Sequence, residues 1–259
     1  MKKSTLFGWF FLLFFCNCSI TCAEEIIHLT NGEWEPYQSE KLKHYGVASH
    51  IVTESFAIEG VTVKYVFRPW KRAYREAQYG AYDGSLIWSY DKERGKYFYF
   101  SDPLIDGKSV FFHLKNYPFV WKSIADLKNH KIGGSLGYKY AFEEEISGIK
   151  IDIDRAPTDI INFKKLLLGR IQIFPCDMNV GYAILNIHFK PEEIQKITHH
   201  PKHYSSTTYH LILTKKNKIN ELLIQKFNKG LSRLRETGQF DQFVEASLRG
   251  EYIKKGTEQ

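Results

Sequence analysis

Arg94 stands in the stretch WSYDKERGKYFYFSDPL, Trp88 to Leu104, where charged residues give way at once to four aromatics in a row. An arginine just before so strongly strand-forming a segment is either a solvated turn residue, paired with Asp91 or Glu93, or a charge held at a strand end for a ligand. Two other groups have the types for chemistry. His199, His200 and His203 sit as H-H-P-K-H, a spacing that holds a metal only if a further ligand arrives from elsewhere; it reads as a solvated loop. Cys176 adjoins Asp177, but no histidine is spaced to activate it as a nucleophile, and it reads as a small buried residue.

The elements that must position these residues alternate. IIHLT (Ile26 to Thr30) reads as a strand, and an amphipathic helix follows from about Val47 to Ile58, ended by Gly60. VTVKYVF (Val61 to Phe67) alternates as a strand does, Pro69 opens the helix WKRAYREAQYG, and YDGSLIW is the next strand. This βαβαβ order predicts a parallel sheet flanked by helices, in which ligands sit beyond the C-terminal ends of strands. A second unit of the same kind follows KSVFFHL. HKIGGSLGYKYAFEEE reads as strand, glycine turn and helix, IKIDIDRA as a strand, DIINFKKLLLG as a helix and RIQIF as a strand ending at Pro175-Cys176-Asp177. SSTTYHLILT is one more strand. The tail is a long amphipathic helix, with Leu222, Leu223, Phe227, Leu231 and Leu234 expected on one face, and then the helix QFDQFVEASL. Two strand crossings, near Ile105 to His113 and His203 to Tyr209, are expected to act as hinges beside a cleft.

The N-terminus MKKSTLFGWFFLLFFCNCSITCA has two lysines, an apolar run and small residues at its end, the pattern of a cleavable secretory signal. The run is shorter than the roughly 20 apolar residues a membrane helix needs. The mature chain is expected to start near Glu24, soluble and exported; lipid anchoring at Cys22 is the less favoured alternative. Cys16, Cys18 and Cys22 leave with the signal, so Cys176 remains alone and no disulfide framework is expected. Without Lys2 and Lys3 the 36 Lys and Arg fall to 34 against 29 Asp and Glu, and the net charge drops from +7 to +5. Apart from Arg68, Lys71, Arg72 and Arg75, read as the wet side of a helix, basic residues are dispersed. That pattern argues against nucleic-acid binding.

Five motifs in order resemble the bacterial extracellular solute-binding proteins of family 3, which deliver amino acids and similar polar solutes to ABC importers. They are Trp34-Glu35-Pro36-Tyr37; Gly80-Ala81-Tyr82-Asp83-Gly84 leading to Glu93-Arg94 and Phe100-Ser101-Asp102-Pro103-Leu104; Lys131-Ile132-Gly133 with Gly137; Leu168-Gly169-Arg170 followed by Asp177; and Phe227-Asn228-Lys229-Gly230-Leu231 with Leu234-Arg235-Glu236-Thr237-Gly238. The resemblance covers nearly all of the mature chain. It implies an α/β, two-lobed periplasmic-binding-protein fold of type II, each lobe a mostly parallel sheet flanked by helices, joined by two hinge strands. Residues 1–23 would be the signal peptide, 24–109 with 206–259 the first lobe, and 110–205 the second.

By the same resemblance Arg94 grips a ligand's carboxylate, for which a guanidinium's parallel donors are suited, and Ser89 supplies a hydroxyl beside it. Asp177 takes the ligand's amino group from the second lobe; read from the residues alone, it also fits as the N-cap of a helix running toward Leu185. Trp34 and Trp70 sandwich the ligand side chain, with core packing as the plain alternative for each. Two departures stand out. Tyr138 occupies the position after Gly137 where the family usually has Thr or Ser, and Ile87 and Trp88 stand where small hydroxyl residues are common. The pocket is therefore expected to be bulkier and more aromatic, and a ligand other than a standard amino acid is within its range.

The expected function is capture of a small amino-acid-like or carboxylate solute for an ABC permease of the inner membrane, by a monomer with no cofactor, no metal and no catalysis. A periplasmic enzyme on the same fold, resembling cyclohexadienyl dehydratases, is the alternative, with Glu33 or Asp177 as its only evident proton donors. A sensory ligand-binding module is the third reading.

Overall fold

Two ten-residue strands run antiparallel through the middle of the molecule, and everything else is arranged around them. The computed structural model describes residues 25–136, 138, 140–143 and 151–254. In chain order the elements are β1 (Glu25–Asn31), α1 (Val47–Ile58), β2 (Val61–Phe67), α2 (Trp70–Gln78), β3 (Gly84–Ser89), β4 (Phe98–Phe100) and β5 (Ile105–Leu114). Next come β6 (Ile132–Ser135), β7 (Ile153–Ala156), α3 (Asp159–Leu167), β8 (Phe174–Asp177), α4 (Met178–His188), α5 (Pro191–Ile194) and β9 (Ile197–His199). β10 (Ser205–Thr214), α6 (Asn220–Glu236) and α7 (Gln239–Leu248) complete the chain.

β1 pairs in parallel with β2 along its whole length and with β3 on its other side, and β10 joins β3 antiparallel, giving the order β2-β1-β3-β10-β5-β8. β5 and β10 pair from Ile105–Ser109 to Ser205–Tyr209, and their far ends diverge: β5 continues to β8 and β9, β10 to β3 and β4. β6 and β7 form a parallel pair, tied to the approach to β8 by a bridge from Ile132 to Ile173. The result is the two-lobed α/β arrangement of type II periplasmic binding proteins, with both crossings where the sequence places them; the sheet is mixed rather than mostly parallel, because β5 and β10 run antiparallel to each other and to the strands they join, β3, β4, β8 and β9.

In the first lobe α1 lies on α6, with Phe56 and Phe227 5.3 Å apart between ring centroids. The helices meet so closely that a Cβ on Gly230 would lie 1.9 Å from the Ser55 carbonyl oxygen. Only a glycine fits. The buried face of α6 is Asn220, Leu223, Ile224, Phe227, Gly230, Leu231 and Leu234. Leu222, expected among them, is 47% exposed, because the three- and four-residue steps that place Leu223 and Phe227 on α1 turn position 222 away. Phe111, Phe119, Trp121, Leu127, Ile132, Phe142 and Ile173 form a separate core in the second lobe. α7 packs against α1 and α6 and also touches α4 of the second lobe.

The motifs fasten one another. Asn228 Oδ1 accepts the backbone N–H of Asp102 at 2.9 Å and Arg235 donates to the Pro103 carbonyl, so the tail motifs hold the F-S-D-P-L turn leading into β5. The strand IKIDIDRA is shorter than its sequence suggests, and after Gly137 the described residues contain only a 3₁₀ turn, Ala141–Glu143. The rest of the expected helix, and the expected signal segment, lie outside the described residues. Gly230→Ala is expected to destabilise the fold by roughly 1–3 kcal/mol through overpacking, seen as a lowered midpoint in thermal unfolding.

Candidate functional site

Asp177 ends β8 and caps α4. Its Oδ1 accepts the backbone N–H of Asn179 at 3.0 Å and of Val180 at 3.1 Å, satisfying two donors that a helix start leaves unpaired. The same oxygen accepts the hydroxyl of Tyr37 at 2.9 Å, and Asn179 Nδ2 donates to that hydroxyl at 3.1 Å. Tyr37 is fully buried in the first lobe, so one carboxylate joins a helix start in one lobe to a phenol from the other. A Cβ on Gly107 of β5 would lie 2.8 Å from both Asp177 Oδ2 and the Tyr209 ring; glycine there leaves room for both.

Around Asp177 is a cavity of about 230 Å³, walled by Trp34, Tyr138, Tyr140, Asp159, Tyr204 and Tyr209 and completed by Ser109, Cys176, Ser205 and Thr207 among others. Both hinge strands contribute. Ser205, Thr207 and Tyr209 reach it at the two-residue period of β10. Trp34 is set by a turn in which its N–H and carbonyl bond to Gln38, and its ring lies 4.9 Å from Tyr37 and 5.4 Å from Tyr209. Tyr138 stacks on Tyr140 at 6.2 Å.

Asp159 opens α3 and is the second carboxylate of the wall. It accepts the Ser135 hydroxyl, and the Cys176 thiol lies 3.9 Å from its other oxygen. Burial raises the pKa of Asp159 and of Asp177, opposed in both by hydrogen bonds to the charged form. Burial likewise pushes Tyr140 and Tyr209 up to about 12, and Tyr138 and Tyr204 higher, so the phenols are neutral. Among the described residues, no Lys, Arg or His lines the cavity.

The six residues expected in the site divide. Trp34, Tyr138 and Asp177 wall the cavity together. Trp70 stands behind Trp34, edge-on at 6.4 Å, with its indole N–H on the Glu33 carbonyl at 3.2 Å. Ser89 and Arg94 are on neither wall. Arg94 Nη1 donates to the Ser89 carbonyl at 2.8 Å and hydroxyl at 3.1 Å, pairs with Asp91 at 3.1 Å, and its guanidinium lies 5.2 Å over Trp88. Trp88 packs on Trp70 at 5.4 Å. Contacts thus run from Arg94 through Trp88 and Trp70 to Trp34, of which only Trp34 is on the cavity wall. Asp159, Tyr204 and Tyr209 were not singled out from sequence; the alternation of Ser205, Thr207 and Tyr209 was the available signal for the last, and the position just after β7 for Asp159. His199 and His200 bond to Tyr182 and the Lys202 backbone, and among the described residues no group of His, Cys, Asp and Glu is placed to hold a metal.

The model of the bacterial extracellular solute-binding proteins, family 3, matches residues 26–248, and this chain belongs to that family. Among solved structures it is similar to substrate-binding domain 2 of GlnP from Lactococcus lactis in open conformation, at TM-score 0.68 and 19% identity over 92% of this chain and 99% of that one. It is also similar to an amino acid ABC transporter substrate-binding protein of Streptococcus pneumoniae bound to L-arginine, at TM-score 0.62 and 17% identity over 89% and 97%. A histidine kinase sensor domain is similar at TM-score 0.62 and 17% identity over 89% and 97%. No curated relative matches this chain.

A carboxyl whose pKa is raised by folding contributes nothing to stability at low pH, where both states are protonated; its cost sets in as the pH rises past the unfolded pKa and is complete once the pH exceeds the folded one. Asp159→Asn removes that cost. The solute-free variant is expected to unfold at a higher midpoint than the parent at pH 7, and the gain should vanish near pH 3 in thermal unfolding measured against pH.

Proposed function

We propose that this chain is a periplasmic solute-binding protein that captures a small amino-bearing, amino-acid-like solute and hands it to an ABC permease of the inner membrane, without chemical turnover. The observation that carries this reading is the cavity walled by both lobes, in which Asp177 of the second lobe faces Trp34 and Tyr209. Family membership supports it, as do the relatives that serve amino acid ABC transporters. Residues 1–23 would direct export, and the mature protein would act as a monomer.

In this mechanism the lobes, 24–109 with 206–259 and 110–205, rotate about β5 and β10. An ammonium group is held by Asp177, which neutral donors keep in place, and by the faces of Trp34 and Tyr209. Tyr138 closes over it. A ligand that touches both lobes favours the closed state by the difference in its affinity for the two. Trp70, Ser89 and Arg94 act from behind the wall: Ser89 and Asp91 fix Arg94, Arg94 supports Trp88, and Trp88 backs Trp70 and Trp34.

Calorimetric titration of the mature protein against amino acids and small amines is expected to show binding. Asp177→Asn keeps a good helix cap and should weaken binding roughly 10- to 100-fold, the worth of a hydrogen bond to a charged group. Affinity unchanged in that variant would sink the assignment of Asp177. Arg94→Ala is expected to weaken binding by about 1 kcal/mol, whereas loss of a direct carboxylate grip would cost roughly 2–5 kcal/mol.

A further inference from the structure

Asp159 and Asp177 wall one cavity, yet neither forms an ion pair among the described residues. Their partners are neutral: Ser135 and Cys176 for Asp159, Tyr37 and the backbone N–H groups of Lys108, Asn179 and Val180 for Asp177. The arginines nearby are committed elsewhere. Arg155 donates to the carbonyls of Ser135 and Tyr138 and to both oxygens of Glu143, and Arg94 is engaged with Ser89 and Asp91.

We propose that the solute is a dication, a short aliphatic diamine with one ammonium on Asp177 and the other on Asp159 and no carboxylate of its own. The proposal rests on the cleft being the solute site. Two carboxylates withdrawn from water without a counter-charge among the described residues are costly to the empty protein, and a ligand of matching charge removes that cost. A zwitterion brings a third carboxylate into the same poorly hydrated space, where like charges repel strongly. The rest of the lining suits a diamine: Trp34 and Tyr209 offer faces to methylenes and to ammonium, and Ser109, Thr207, Tyr138 and Tyr204 carry hydroxyls able to accept the remaining N–H groups. Cys176, flanked by both carboxylates, marks their closeness along the wall. The direction of both carboxyl pKa shifts agrees with sites lacking a resident cation.

Cadaverine is lysine without its carboxylate, and pentylamine is cadaverine without one ammonium; together with putrescine they form a matched panel for calorimetry on the mature protein. Cadaverine or putrescine is expected to bind at least tenfold more tightly than both lysine and pentylamine. Asp159→Asn should bring the diamine down toward the affinity of pentylamine while weakening pentylamine at least tenfold less than the diamine, and its raised thermal midpoint without solute shows that it folds. Lysine binding as tightly as either diamine would overturn the proposal, as would a diamine affinity untouched by Asp159→Asn. Binding of amino acids alone leaves the solute-binding reading standing without the dication, and heat from none of the amines or amino acids removes both.

Discussion

The carboxylate of Asp177 is shared between two tasks that belong to different halves of the molecule. It ends the N–H row of α4, and it takes the hydroxyl of Tyr37 from the opposite lobe. Burying an ion demands hydrogen bonds, and the fold meets that demand by bringing a phenol, a helix start and a glycine-lined strand to one point. The wall of the cavity follows from this arrangement. β8 must end where β5 can pair with it, Gly107 must leave the space open, and the turn at Trp34 must set Tyr37 at depth. Serving as a helix cap does not exclude serving a ligand; neutral donors fix the orientation of the group, and among the described residues no ion pair compensates its charge.

The hinge strands do more than connect. β5 and β10 pair only where they cross, and beyond that each belongs to a different half of the sheet. Their crossing segments face the cavity through Ser109, Ser205, Thr207 and Tyr209, so the elements about which the lobes turn also line the place where a solute would sit. In the proposed mechanism, occupancy and hinge angle would be coupled without a relay, since displacing a hinge side chain would displace the cavity wall.

Much of this was legible in the residues. Alternation in VTVKYVF, the helix QFDQFVEASL and the order of five motifs were enough to anticipate the lobes and both crossings, because period and punctuation are local properties. The tail motifs explain themselves only in three dimensions, where Asn228 and Arg235 tie down the turn at Asp102 and Pro103. The site was half legible. Trp34, Tyr138 and Asp177 are on the wall of a cavity rich in tyrosine, whereas Trp88, the other bulky departure, is not on it and packs on Trp70. Pairing of Arg94 with Asp91 was one of the two readings open in the sequence, and it is the one the structure contains; what was not legible was the packing of Trp88, Trp70 and Trp34 from separate segments. Asp159 was hidden for a related reason. Its position at the head of α3 is an ordinary place for an acidic residue, and only the meeting of β6, β8 and α3 brings it beside Cys176.

The contact of α7 with α4 is a second place where the lobes meet, besides the two crossing strands. Were the lobes to rotate about β5 and β10, this packing would have to slide or part. Dispersion contacts fade steeply with separation, so its contribution would be lost over a short travel. The stability of a closed arrangement would then depend in part on residues of α7, none of which is on the cavity wall.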